Sequence, residues 1–122
     1  MGFAQAIRSV YANYFNFRGR AQRSEFWYFQ LFQVAVFILA ELVAITFPRS
    51  ETAMFVVLGF LLTFTLASII PSLALTFRRL HDIGRSAWSL LVVLIPLVGP
   101  FVMLYWFFKA SEAGANKYGS SP

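Results

Sequence analysis

Ile95-Pro96-Leu97-Val98-Gly99-Pro100 interrupts the last of three long apolar segments in this 122-residue chain, and its reading decides the fold. The segments run from Phe26 to Phe47, Thr52 to Phe77 and Ala87 to Phe108. The shortest has 22 residues, and a helix rising about 1.5 Å per residue needs roughly 20 of them to cross a hydrocarbon core of about 30 Å. In lipid only helices or closed barrels satisfy the backbone, and runs without period-2 alternation argue against a barrel. Residues 95–100 can either kink a third span or turn the chain back. Lipid does not tolerate exposed irregular backbone, and a short chain has little protein to cover it, so the expectation is a kinked full span. A reversal would instead bring the tail, with Lys117 and Tyr118, beside the arginines of the preceding loop.

Composition supports a membrane solvent. The chain is 59% hydrophobic and 12% charged, with fifteen phenylalanines, whereas a soluble fold of this size buries only about two-thirds of the surface its unfolded chain exposes. The net charge of +5, carried by residues beside the apolar segments among aromatics, suits anionic lipid headgroups, and no nucleic acid partner is expected. The absence of cysteine removes disulfides, thiolate nucleophiles, iron–sulfur clusters and thiolate zinc sites. The N-terminus lacks early basic residues and an uninterrupted apolar core, so the first span is expected to direct insertion. Ala6 stands where a myristoylation motif following Gly2 wants Ser or Thr, so no lipidation is expected.

The fold class that follows is an all-α membrane protein, a single domain with an N-terminal interfacial amphipathic helix followed by a three-helix transmembrane bundle. Residues 1–23 form the interfacial helix and a basic turn, because Phe3, Ile7, Val10, Tyr14 and Phe17 recur at helical spacing opposite a polar face. Spans at 26–47 and 52–77 are joined by a tight turn, Pro48-Arg49-Ser50-Glu51. A basic loop at 78–86 precedes the third span, 87–108, and a polar tail occupies 109–122. Two local grammars repeat on one side of the membrane. Gly19 permits a turn, Ser24 caps the first span, Glu25 sits in its first turn, and Trp27 and Tyr28 anchor at headgroup level; Gly84 ends the second helix, Ser86 caps the third and Trp88 anchors it.

Three spans put Arg8, Arg18, Arg20, Arg23, Arg78, Arg79 and Arg85 on one side, against Arg49, Lys109 and Lys117 on the other. Seven against three makes the N-terminus cytoplasmic and the tail external.

Two motifs hold most of the chemistry. Phe17-Arg18-Gly19-Arg20-Ala21-Gln22-Arg23-Ser24-Glu25-Phe26-Trp27 precedes the first span, and Arg78-Arg79-Leu80-His81-Asp82-Ile83-Gly84-Arg85-Ser86-Ala87-Trp88 follows the second. Guanidinium groups bind phosphate oxygens through two donors at once, so Arg18, Arg20, Arg23, Arg78, Arg79 and Arg85 form a candidate surface for anionic lipid or an acidic partner. Glu25, His81 and Asp82 are interleaved in the same candidate site, with Asp82 as the organiser of the arginines. The plainer alternative is that the arginines set topology and form internal salt bridges. Asp82 can pair with Arg78 at i,i+4 or Arg79 at i,i+3. His81 titrates near neutral pH but has no second metal ligand nearby, and no nucleophile triad is present, so no metal, cofactor or enzymatic activity is expected.

Polar residues also line the spans: Gln30, Gln33 and Glu41 in one stripe of the first, and Thr65, Ser68, Ser72 and Thr76 in one stripe of the second. Both stripes are expected to face the bundle interior, where they allow close packing and hydrogen bonds. Glu41 lies six residues from the end of its span, shallow enough to snorkel or to pair with Lys109. A small oligomeric transporter or channel built on Glu41 is the alternative reading, and homo-oligomerisation would be required for it.

The two basic motifs, followed by Asn116-Lys117-Tyr118-Gly119 and separated by apolar spans, resemble the small bacterial inner-membrane proteins catalogued as domain of unknown function 805. The resemblance extends from about Tyr14 to Pro122. Ala87 departs from it, since the family more often has glycine before the aromatic. The resemblance implies a bacterial plasma-membrane location and, because the family has no established activity, implies no chemistry.

Overall fold

The computed structural model describes residues 1–47 and 50–122; Pro48 and Arg49 of the expected turn lie outside the described residues. It contains helix α1 (Phe3–Ala12), α2 (Arg23–Thr46), α3 (Glu51–Asp82), a 3-10 helix at Ala87–Leu94 and α4 (Val98–Phe108). No strand is formed among the described residues; the tail holds one isolated antiparallel bridge, Asn116 to Gly119.

Helices α2 and α3 run antiparallel, with Glu25 facing Arg78, Gln33 facing Ser72 and Phe37 facing Phe64 along their length. Both are long and apolar enough to cross a membrane, and in an apolar 18-residue stretch of each only 11% and 6% of the residues are buried. Leu39, Ile45, Val56 and Leu62 are all more than 60% exposed, a continuous apolar surface that water would not tolerate on a monomer. Ser50 caps α3 by accepting from the Ala53 N–H at 3.0 Å. At its other end α3 continues through Asp82, so the first five residues of the expected loop are helical. Gly84 then takes φ +80, and the N–H groups of Gly84 and Arg85 return to the carbonyls of His81 and Leu80 at 3.0 and 2.9 Å. These two bonds form a Schellman cap, the role expected of Gly84.

Pro71 sits inside α3. Proline has no N–H, so the Ala67 carbonyl one turn earlier loses its helical donor. The Tyr14 hydroxyl replaces that donor at 2.7 Å, and Tyr11 bonds Ser68 Oγ at 2.9 Å beside it. The N-terminal segment is therefore docked on α3 where α3 is weakest. Its helix stops at Ala12, before Tyr14 and Phe17, and buries Ala6 and Val10 while Tyr11 packs edge-on against Phe29. The apolar face expected to dip into headgroups is largely used against α2 and α3. The helix is packed on the long pair because Ser9 also donates to Glu25 at 2.8 Å, tying its polar side down as well.

The third apolar segment is not one kinked helix. Its 3-10 arm has 8 residues and α4 has 11, lengths of roughly 16 Å each at about 2.0 and 1.5 Å per residue, half of what a span requires. The arms fold back on each other so closely that a Cβ on Gly99 would lie 2.0 Å from the Val92 carbonyl oxygen. Only glycine permits that approach. Pro96 ends the first arm, and Leu97 turns the chain with φ 67, a left-handed conformation unusual for a residue with a side chain. The break that was expected to bend the chain therefore reverses it, and the second arm returns Phe108 to the start of α2, where it stacks on Trp27 with centroids 4.3 Å apart.

Candidate functional site

Three separated stretches, 18–25, 78–85 and 107–119, meet at one end of the helix pair and build a buried charged hub. Asp82 is its centre. The carboxylate accepts from Arg20 Nε at 3.0 Å, from Arg79 Nη1 and from Ser111 Oγ. Its backbone carbonyl accepts from the Glu112 N–H at 2.9 Å and from Arg20 Nη2 at 3.3 Å. Two guanidinium groups on one carboxylate leave donors in excess, and backbone carbonyls take up much of that excess. Arg20 donates to the Gly114 and Glu112 carbonyls, both at 2.6 Å, while Arg79 donates to the carbonyls of Phe107 and Lys109.

A second ion pair lies beside this centre. Arg78 Nη1 donates to Glu25 Oε1 at 3.1 Å, and Ser9 donates to the same oxygen. Arg78 thus reaches across to α2, and the expected i,i+4 pair with Asp82 does not form; Arg79 at i,i+3 takes that place. The Ala21 N–H donates to the Arg78 carbonyl at 3.0 Å, so the 18–25 stretch is fastened to α3 through backbone as well. Arg78 and Arg79 are 3% and 0% exposed, and Arg20, Glu25, His81 and Asp82 are also buried. These six cannot form a surface that touches headgroups. Most of their donors are met internally, since guanidinium groups out of water need acceptors or lose several kcal/mol each; Arg78 Nε and Nη2 and Arg79 Nε are buried without a partner among the described residues.

His81 stands past the apolar stretch, in the last turn of α3. Its Nδ1 lies 3.0 Å from the Gly19 carbonyl, and since a carbonyl can only accept, Nδ1 carries the hydrogen. Burial pushes the pKa of His81 below its ordinary value, opposed by the bond to Gly19. The ring stacks on Tyr118 with centroids 4.1 Å apart and planes 7° from parallel, and Asn116 donates to the His81 carbonyl at 3.0 Å. His81 is therefore the seat of the tail, a task the sequence left unassigned. The stretch expected to be an extended tail is folded onto the hub, and Glu112 comes so near that a Cβ on Gly84 would lie 2.3 Å from its carboxylate.

Other basic residues of the motifs remain outside. Arg18, Arg23 and Arg85 are exposed, as are Arg8, Lys109 and Lys117. Arg85 lies over the Trp106 ring at 4.2 Å, and Arg23 donates to the Phe108 carbonyl at 3.0 Å. Trp27 donates from its indole to the Phe107 carbonyl at 2.9 Å, whereas Trp88 is 79% exposed. Neither expected serine cap forms: α2 begins at Arg23 with Ser24 inside its first turn, and Ser86 precedes the 3-10 helix without a side-chain bond.

The polar residues of the two long helices divide. Gln33 donates to Ser72 at 3.2 Å, where the two stripes touch, while Ser68 bonds Tyr11 of α1 instead. Thr65 and Glu41 are exposed, and Gln30 is half-buried. Glu41 and Lys109 lie at opposite ends of α2, because Arg23 holds the residue preceding Lys109, which excludes their pairing. Sequence reasoning passed over Ser9, Ser111 and Glu112 as hub partners and Tyr14 as the partner of Pro71; the proline within an apolar run was the signal for the last.

The model of the family described as "Protein of unknown function (DUF805)" matches residues 14–120. The chain belongs to this family. It is 37% identical over 116 residues to the inner membrane protein YhaI of Escherichia coli strain K12, covering 93% of this chain and 92% of the relative. Inner membrane protein YhaH of the same organism is 34% identical over 117 residues, with the same shares covered. No solved structure matches. The family match begins at Tyr14 and so contains every hub residue except Ser9, and its two basic motifs and tail motif are the segments that meet around Asp82.

Proposed function

We propose that this chain is a non-enzymatic, multi-pass inner-membrane protein whose exposed cations gather anionic phospholipid around an internally braced hub. The observation that carries the reading is the division of the motif arginines: Arg20, Arg78 and Arg79 are buried on protein acceptors, while Arg18, Arg23 and Arg85 stay exposed, Arg23 and Arg85 beside aromatic side chains. The names of the relatives support an inner-membrane location. In this reading α2 and α3 cross the bilayer and residues 87–108 enter and leave it as a re-entrant hairpin. The tail then shares the hub side, so Lys109 and Lys117 join the seven arginines there, nine basic residues of ten, with Arg49 left in the opposite connection. Such an imbalance makes the hub side cytoplasmic, and each cation near an anionic surface contributes about 1 kcal/mol of attraction.

Native mass spectrometry after reconstitution in equal phosphatidylglycerol and phosphatidylcholine tests the reading. Wild type is expected to retain the anionic lipid in excess, and Arg18→Gln/Arg23→Gln/Arg85→Gln/Lys109→Gln to lose that preference. Equal retention of both lipids by wild type would overturn the lipid reading in favour of an acidic protein partner.

A further inference from the structure

The exposed cations are not equivalent. We infer that one of them, Arg23, heads a seat for the phosphate of a single anionic phospholipid, in the groove between the start of α2 and the end of α4. The inference rests on the lipid reading above and assigns it a place.

The groove is open, has a volume of about 330 Å³ and is lined by Arg23, Ser24, Trp27, Tyr28 and Phe108. Its lining joins one cation to aromatic rings, Trp27 stacked on Phe108 at 4.3 Å and fixed by its indole bond to the Phe107 carbonyl. Arg23 is held by one Nη1 bond to the Phe108 carbonyl at 3.0 Å. A guanidinium has five N–H donors in a rigid fork, so Arg23 is oriented by one and keeps the rest for a phosphate. Lys109, the residue after Phe108, is a second exposed cation next in the chain to the groove's lining.

Local charge points the same way. Arg23 is the first residue of α2, whose N-terminus lacks a side-chain cap, so a cation sits at the positive end of the helix dipole, an unfavourable placement by itself. Glu25 in the same turn does not offset it, because its carboxylate is turned inward to Arg78 and Ser9. An anion at Arg23 relieves both conditions.

Depth selects a lipid over a soluble phosphate. Trp27 lies four residues along α2 from Arg23, about 6 Å deeper, with Tyr28 beside it at the level these rings prefer in a bilayer. That is where glycerol and the first acyl carbons follow a phosphate held at Arg23. Arg85 differs in that its guanidinium face lies over Trp106.

The experiment is photo-crosslinking in nanodiscs with phosphatidylglycerol carrying a diazirine near the glycerol end of one acyl chain, its adducts mapped by peptide mass spectrometry. Matched diazirine phosphatidylcholine is the control. Wild type is expected to be labelled at Trp27, Tyr28 or Phe108, with unlabelled phosphatidylglycerol competing and phosphatidylcholine not. Each of two surface cations contributes roughly fivefold, so Arg23→Gln/Lys109→Gln should lose about twenty-fivefold of that labelling. The wild-type competition reads the site without any variant, so a misfolded variant leaves the test intact. Competition by phosphatidylglycerol with adducts mapped to Arg85 and Trp88 instead would overturn the groove and keep the general lipid reading. Equal competition by both lipids would overturn both.

Discussion

Arg79 and Arg23 are both basic residues of the paired motifs at the same end of the molecule, and the fold uses them in opposite ways. Arg79 is fully buried on Asp82 and on carbonyls from the returning hairpin, while Arg23 is exposed with most of its fork unused. Position relative to the tail decides which. Residues 107–119 close over the inner arginines and supply carbonyl acceptors, so charge that would set topology in an extended loop becomes the glue between three chain segments. The outer arginines are not closed over; Arg23 takes a single carbonyl from this stretch and stays exposed. Arginine density alone therefore says little about a binding surface; the acceptors around each guanidinium say most of it.

The largest break in this comparison comes from Asp82→Asn. It removes the carboxylate on which Arg20 and Arg79 converge and leaves two buried guanidinium groups short of their counter-charge. Removing one partner of a buried ion pair costs about 3–5 kcal/mol. The variant is expected to lower the thermal midpoint in detergent sharply and to release the tail, read as new protease cleavage between residues 109 and 119. A variant as stable and as protected as wild type would mean that the inner arginines are not held by Asp82.

What the sequence made legible, and what it hid, divides along the same line as the arginines. The two long helices were readable because length and hydropathy are local properties, and Gly84 was readable because a helix end followed by glycine has one favoured geometry. The clustering of the basic motifs on one side was readable from the spacing of the spans. Pairing within the cluster was legible only in part: the i,i+3 pair of Arg79 with Asp82 forms, but Arg78 chose Glu25, fifty-three residues away, over its helical neighbour Asp82, a choice made by tertiary packing. The reversal at 95–100 is open to the sequence but disfavoured by the cost of covering irregular backbone. The close packing that Gly99 permits between the two arms supplies part of that cover and favours the hairpin. The tail motif Asn116-Lys117-Tyr118-Gly119 had visible identity but no visible partner until His81 was placed beneath Tyr118.

A smaller effect separates the tail's seat from the arginine centre. Burial lowers the pKa of His81 below its ordinary value, so the unfolded chain takes up a proton at a higher pH than the folded one. Between the two pKa values the unfolded state holds more protons, and stability rises with pH. The contribution of His81 is therefore present at pH 7 and above and is lost as pH falls from about 6.5, the ordinary histidine value, toward the lower folded value. Thermal midpoints measured from pH 5 to 8 should show this slope in wild type and lose it in His81→Gln. An unchanged slope in His81→Gln would assign the pH dependence to another group.

The smallest expected effect on stability is at Arg18, and it is the sharpest test of the division. Arg18 is exposed, and none of its side-chain nitrogens makes a hydrogen bond or ion pair among the described residues. A surface substitution away from caps, cores and buried pairs usually changes stability by less than about 0.5 kcal/mol, so Arg18→Gln should leave the thermal midpoint within a degree or two of wild type. If the outer cations act on lipid, the same substitution still removes one charge from the headgroup layer and weakens anionic lipid retention by roughly fivefold. Stability and lipid retention then move independently at Arg18 and together at Asp82. A drop in stability at Arg18 comparable to that at Asp82 would erase the distinction between the inner and outer arginines, because it would require Arg18 to carry a buried contact that its exposure does not allow.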